Sequence, residues 1–170
     1  MIINRVFARA NKWTFQIKPI GNLLNKYIFN EGYMWVDPFA GTNKRVRFTN
    51  DLNSSMGCFS CKDSYDFVKE LPCAGYDGIL FYPPYSYRQI SEHYKEFKRK
   101  ATALDTSYNF YSRVMNEITL KIKKGGLAIS FGWNSNGFGK IRGFKIIEIL
   151  IVAHGLHHND TIVTVEEKTQ

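Results

Sequence analysis

The chain has 170 residues, 44% of them hydrophobic, with 23 Lys and Arg against 15 Asp and Glu for a formal net charge of +8. That length fits one domain with a real core and leaves little room for a second module, and the positive balance favours anionic partners such as nucleic acid without proving them. No run of about 18 uncharged apolar residues occurs, which argues against a membrane partner and for a soluble intracellular protein; Cys58, Cys61 and Cys73 are an odd number in a chain too large to need disulfide staples, as expected in a reducing compartment.

In chain order, Thr14 to Phe29 carries apolar residues at helical spacing past Pro19, which suits a first helical turn because its missing N–H costs nothing there. Tyr33 to Val36 predicts a short buried strand, and Arg45 to Thr49 a second with Val46 and Phe48 on one face. Ser64 to Leu71 predicts a short helix, Ile79 to Phe81 a third buried strand, and Gln89 to Arg99 a charged helix. Phe110 to Ile122 is a clearer amphipathic helix stopped at Gly125-Gly126, followed by a buried strand over Leu127 to Phe131. Ile146 to Ala153 and Thr161 to Glu166 are β-rich runs joined by a Gly/His/Asn/Asp segment, the pattern of a closing antiparallel hairpin. Strands alternating with helices, then a hairpin, predict a mostly parallel sheet with helices on both faces.

Two strand-ending runs carry the chemistry. Asp37-Pro38-Phe39-Ala40-Gly41 and Tyr82-Pro83-Pro84-Tyr85-Ser86 each end a buried strand in a rigid turn, at the carboxyl edge where open α/β sheets bind ligands. Gly41 allows backbone to approach a ligand, and Asp51 falls at the tip of the neighbouring strand, where an acid accepts hydrogen bonds from ribose hydroxyls; a plain turn and helix cap over Asn50 to Asn53 is the alternative. So few residues separate Gly41 from the second strand that no ordinary crossover helix fits. The double proline stiffens the backbone and removes donors, and Tyr85 becomes a flat surface on which an unstacked nucleobase could lie, or ordinary loop packing.

Other groups are weaker signals. Cys58-Phe59-Ser60-Cys61 has metal or redox spacing but lacks a second ligand pair, and His154, His157, His158 and Asp160 fall in the hairpin connection, so no metal is expected. Ser130 to Gly139 suits either a mobile loop over the site or a simple surface loop. Lys95, Lys98, Arg99 and Lys100, with Lys140, Arg142 and Lys145, could hold phosphates or form a solvated face.

Thr14 to Ile20, Asp37 to Gly41, Asn50 to Asn53, Pro83 to Gln89, Ile129 to Gly137 and His154 to Glu166, in that order, give a sequence that resembles the adenine-specific DNA methyltransferases, in particular a group of small phage and prophage proteins. The resemblance implies an α/β, Rossmann-like methyltransferase fold: a mostly parallel seven-stranded sheet with a C-terminal antiparallel hairpin, in one domain over residues 1–170 without a separate target-recognition domain. It implies S-adenosyl-L-methionine as cofactor, the exocyclic amine of adenine in DNA, single- or double-stranded, as methyl acceptor, and a cytoplasmic location in a bacterial host. RNA as the substrate, a homodimer sharing the recognition task, or a catalytically silent cofactor- or nucleic-acid-binding protein are the alternatives.

Carried over by residue, Phe15 resembles an aromatic packed against the cofactor, Asp37, Pro38, Phe39, Ala40 and Gly41 the loop around its methionine part, Asp51 the ribose acid, and Asp63 a contact to its adenine. Tyr82, Pro83, Pro84 and Tyr85 match the catalytic segment. Two positions depart from the pattern. Asn43 stands where relatives carry a second glycine, which Asn's tolerance of left-handed backbone could accommodate. Tyr82 stands where an Asp, Asn or Ser oxygen helps the Pro83 carbonyl hold the target amine, and a phenol places its one oxygen further out, so a weak or silent enzyme is expected.

Overall fold

The computed structural model describes residues 1–28, 32–84, 91, 108–155 and 158–170. Its sheet contains β1 (Ile2–Phe7), β2 (Trp35–Asp37), β3 (Phe48–Thr49), β4 (Tyr76–Phe81), β5 (Ile122–Gly132), β6 (Phe144–Ala153) and β7 (Thr161–Lys168) in the order β1-β6-β7-β5-β4-β2-β3. Every neighbouring pair is parallel except those made by β7, which runs antiparallel to both β5 and β6. The expected mostly parallel sheet of seven strands with a closing hairpin is therefore the observed one. The helix expected over Gln89 to Arg99 lies outside the described residues apart from Ser91.

Helices cover both faces because the central strands are apolar on both. Leu80 of β4 and Ile129 and Phe131 of β5 pack with Ile20 and Leu24 of α1 (Lys18–Tyr27), whose first turn holds Pro19. On the opposite face, Ile79, Phe81 and Ala128 pack with Phe67 and Val68 of α2 (Ser64–Glu70) and Val114 and Ile118 of α3 (Tyr108–Lys121). Trp35 lies across Gly78, its register partner in β4; a Cβ there would meet the indole at 2.6 Å, so the site-bearing strands sit together only with glycine at this position.

The sequence reading assigns no element to the first residues, yet Ile2–Phe7 forms β1, added parallel to β6 at the sheet's edge. All but Val6 are exposed, so burial leaves no alternating pattern to read. Contacts distant in sequence fasten it: Asn4 donates to buried Glu148, which also accepts Lys26 at 2.5 Å and Tyr27 at 2.5 Å from α1. Burial disfavours the charge on Glu148, but those hydrogen bonds outweigh it and hold the carboxyl below the usual range.

Of the segment Ser130 to Gly139, expected to be a mobile or simple surface loop, Ser130 to Gly132 belong to β5, Trp133 to Gly137 lie mostly at the surface, and the end at Phe138 and Gly139 is pinned. Fully buried Glu166 of β7 accepts the backbone N–H groups of Phe138 at 2.6 Å and Gly139 at 2.9 Å. Phe138 packs between Phe81 and Phe144, and Arg142 reaches Asn116 and Ser112 on α3. Arg142 thus serves the fold rather than a phosphate. Replacing Glu166 with Gln turns one acceptor into an NH2 facing an N–H, and the expected loss is about 1–3 kcal/mol of unfolding free energy, read as a lower urea midpoint.

Candidate active site at the switch between β2 and β4

The chain leaves β2 toward one sheet edge and returns as β4 on β2's other side, so the carboxyl ends of these two strands flank a topological switch, the place where such sheets bind ligands. A cavity of about 640 Å³ opens there, within the range of small-molecule sites. Its walls come from segment 12–16, loop 38–45, Asn50 to Leu52, Lys62 to Ser64, Tyr82 to Pro84, and Phe110 and Tyr111 of α3. Phe15, Pro38, Phe39, Ala40, Gly41, Asp51, Asp63, Tyr82, Pro83 and Pro84 all lie on this wall. Tyr85 lies outside the described residues.

Asp37 is not on the wall. It is fully buried, and its carboxylate accepts the Phe39 N–H at 3.1 Å and the Asn43 side-chain amide at 2.8 Å, knotting the loop from inside. Asn43 also accepts the Arg45 N–H at 3.1 Å, while its own N–H meets the Ala40 carbonyl at 2.8 Å. The expectation of a left-handed Asn43 is corrected: the only non-glycine residue at positive φ among those described is Ala74. Asn43 fills the glycine's place with side-chain bonds instead. Gly41 does adopt φ +51°, and a Cβ built on it would meet nothing within 4 Å, so this turn presents bare backbone to the cavity.

The residues of segment 38–47 contain no helix, yet β2 and β3 are parallel neighbours. Asn50, 1% exposed, makes that short connection possible: its amide donates to the carbonyls of Pro38 and Lys62 and accepts the Lys62 N–H, clamping the loop to the chain entering α2. Asp51 then accepts Gly41 N–H at 3.0 Å on one oxygen and Asn53 N–H at 2.8 Å on the other. The turn-and-cap reading of Asn50 to Asn53 and the ligand reading meet here, since Asn53 caps the 3-10 turn Ser54–Met56 while Asp51 faces the cavity. Asp63 likewise both caps α2, accepting Tyr65 N–H at 2.9 Å, and lines the wall.

The opposite wall is aromatic. Phe15 packs against Phe131 and Tyr82 at centroid distances of 4.9 and 5.8 Å, and Tyr82 against Phe131 at 5.3 Å. The Tyr82 hydroxyl lies 3.0 Å from that of Thr14. Tyr111 of α3 donates to the Pro84 carbonyl and meets Phe39 edge-on, coupling the two loops. Sequence reasoning missed Asn50 as a clamp and Tyr111 altogether; both act through long-range contacts that a local pattern does not encode.

Four cations, Lys12, Lys44, Arg45 and Lys62, also reach the cavity wall. Three bind protein groups: Lys44 the carbonyls of Met56 and Gly57, Arg45 the Asn25 side chain, and Lys62 Glu70. Lys95, Lys98, Arg99, Lys100 and His157 lie outside the described residues. His154 is buried, its ring joining the Ala8 carbonyl and the Thr161 hydroxyl at 2.8 Å each, which fastens the end of β1 to β7. Cys58 donates to the Gly41 carbonyl and Cys61 to that of Leu52; burial pushes the Cys58 thiol up, away from reactivity. Among the described residues no three His, Cys, Asp or Glu side chains gather as metal ligands, and no helix is long and apolar enough to cross a membrane.

Burial pushes Asp37 up to about 7, against the pull of the Asn43 and Phe39 hydrogen bonds. The folded state therefore binds this proton more tightly than the unfolded chain, so the contribution is full below about pH 4 and lost as pH rises through about 7. Urea unfolding between these limits is expected to show wild type losing stability with rising pH relative to Asp37→Asn. Parallel profiles would contradict this assignment.

No protein-family model matches the chain, and no curated protein sequence does. Solved structures share its fold. It aligns with 1,6-didemethyltoxoflavin-N1-methyltransferase of Burkholderia thailandensis, solved with 1,6-didemethyltoxoflavin and S-adenosylhomocysteine bound, at a TM-score of 0.60 and 13% identity over 90% of this chain and 78% of that one. TrmN of Thermus thermophilus gives 0.58 and 16% over 89% of this chain, which spans 49% of that protein. The N-methyltransferase NodS of Bradyrhizobium japonicum WM9 gives 0.58 and 8%, covering 95% of this chain and 100% of its own. The architecture is thus the Rossmann-like methyltransferase fold.

Proposed function

We propose that the protein transfers a methyl group from S-adenosylmethionine to the exocyclic amine of adenine in DNA. The observation that carries this reading is the single cavity that joins the Gly41 turn and Asp51 to Tyr82, Pro83 and Pro84. The residues fit the cofactor: Gly41 offers open backbone, and each oxygen of Asp51 accepts one backbone N–H and keeps a lone pair for a ribose hydroxyl. Phe15 and Asp63 complete the walls, the first as an apolar face and the second as an acceptor for an adenine amine. When bound, S-adenosylmethionine supplies an electrophilic methyl group on a sulfonium sulfur.

The chain's part is to hold the acceptor. Tyr111 fixes the Pro84 carbonyl, so the stiff Pro83-Pro84 backbone keeps its direction and presents the Pro83 carbonyl to the target amine. The net charge of +8 favours a polyanion, and the resemblance of the motif segments points to DNA. Structural neighbours that carry N-methyltransferase names support transfer to nitrogen.

A silent cofactor-binding protein is the second reading, favoured by Tyr82 standing where a shorter acid or amide would hold the amine. Calorimetry with S-adenosylhomocysteine, followed by labelled-methyl transfer to adenine-containing DNA and RNA, separates the readings. Binding with transfer to DNA is expected. Binding without transfer favours the silent protein, transfer to RNA alone moves the substrate, and absence of binding removes the methyltransferase reading.

A further inference from the structure

We infer that Thr14 and Tyr82 act as a hydroxyl pair that replaces the missing side-chain acceptor of the target amine, Tyr82 as the group that touches the amine and Thr14 as its positioning residue. The inference rests on the proposed transfer to an amine and says how this chain performs it.

Thr14 opens the 3-10 turn Thr14–Gln16, 68 positions before Tyr82, and the fold brings their hydroxyl oxygens to 3.0 Å on the wall of the cavity. The direction of the bond follows from acidity. A phenol is a better proton donor than an aliphatic alcohol, so Tyr82 donates to Thr14. That turns the phenol proton toward segment 12–16, so toward a hydrogen of the substrate the oxygen acts as an acceptor and not as a donor. Donation also strengthens the same oxygen as an acceptor, since hydrogen bonds in a chain polarise one another. With the opposite direction the phenol proton would point at the amine and repel it.

Packing fixes the ring that carries this oxygen. Phe15 and Phe131 hold it at 5.8 and 5.3 Å between centroids, and Phe15 is adjacent in sequence to Thr14, so one turn sets both the ring's wall and its hydrogen-bond partner. In the transfer the amine nitrogen's lone pair forms the new bond to the methyl carbon while the carbon–sulfur bond breaks and leaves its electrons on sulfur. The proton then lost from nitrogen passes to water. Tyr82 and the Pro83 carbonyl accept the amine hydrogens as positive charge grows on nitrogen, an interaction stronger in the transition state than before it.

Four variants test the pair. Tyr82→Phe keeps the ring and removes the oxygen, and kcat is expected to fall on the order of 100-fold. Thr14→Val keeps the shape and is expected to lower kcat about tenfold through loss of orientation, with Thr14→Ser restoring it to within about twofold. A readout apart from activity is the preference, with S-adenosylhomocysteine present, for single-stranded oligodeoxyadenylate over the same length of purine deoxyriboside, which lacks the amine. The preference is expected to be roughly fivefold in wild type and Thr14→Ser and to vanish in Thr14→Val and Tyr82→Phe. Unchanged kcat and preference in those two variants would overturn the pair. A wild type that binds cofactor but neither transfers nor discriminates, beside an active Tyr82→Asp, overturns the pair and favours the silent cofactor-binding protein. Failure of every variant to bind cofactor removes the methyltransferase reading and the pair together.

Discussion

Replacing Tyr82 with aspartate is expected to raise methyl transfer to adenine on the order of 100- to 1,000-fold over wild type, the size of one transition-state contact made or lost. A carboxylate on a short side chain sits beside the Pro83 carbonyl and carries full negative charge where positive charge grows on the amine. A phenol held by Thr14 offers one neutral oxygen at the end of a ring. The substitution also removes a half-buried ring from between Phe15 and Phe131. Full burial of such a ring would make its removal cost about 3–5 kcal/mol, so about 2 kcal/mol is expected here. Against a typical domain stability of about 5–15 kcal/mol, the variant stays folded with a lower Tm. Initial rates at saturating cofactor, taken well below that Tm, measure the gain. An aspartate variant that binds cofactor and transfers no faster would show that the target amine does not meet this position.

What the sequence made legible was local. A buried strand ending in Asp-Pro-Phe-Ala-Gly or Tyr-Pro-Pro-Tyr is readable because the turn residues and the apolar run are contiguous, and Pro19 is local for the same reason. The expected helix stop at Gly125-Gly126 is corrected: α3 ends at Lys121, and both glycines lie inside β5. The mostly parallel sheet and its closing hairpin followed from the alternation of elements, and the observed sheet agrees in both respects. What stayed hidden depends on partners far along the chain. β1 is held by β6 and by Asn4 on Glu148, 144 positions away, and its exposed residues carry no periodicity. Glu166 reads in the sequence as the end of a strand, and only the folded chain brings it beneath Phe138 and Gly139 to pin the end of their loop. Asn43 was legible as a departure from a glycine, but not as a knot on Asp37, because that knot needs a carboxylate buried behind the loop. Residue type announced a site near each strand end; which atoms face the cavity and which support it from behind came from packing.

Asp51 separates these two roles most sharply, and Asp51→Asn is expected to weaken S-adenosylhomocysteine binding on the order of 100-fold. Both carboxylate oxygens already accept a backbone N–H, from Gly41 at 3.0 Å and Asn53 at 2.8 Å. An asparagine supplies one such oxygen, and its NH2 faces the other N–H donor to donor. If the amide turns its NH2 toward Gly41, that turn loses its anchor; if toward Asn53, the following 3-10 turn does. In either orientation the ribose hydroxyls meet a neutral group with half the acceptor capacity. Hydrogen bonds to a charged group contribute about 1.5–3 kcal/mol, and 1.4 kcal/mol is a factor of ten, so losing the charge from a pair of such bonds gives the stated magnitude. Asp63→Asn is the comparison, because Asn caps a helix as well as Asp does and the Tyr65 N–H keeps its acceptor, so only the one contact to the adenine amine is lost. Its binding is expected to change by less than about tenfold, with Tm close to wild type. Calorimetry on both variants decides the matter: equal losses would mean that any acid on this wall contributes only through its field. A large loss at Asp51 alone would place the ribose at the tip of β3, and with it the methyl donor between the Gly41 turn and Pro83.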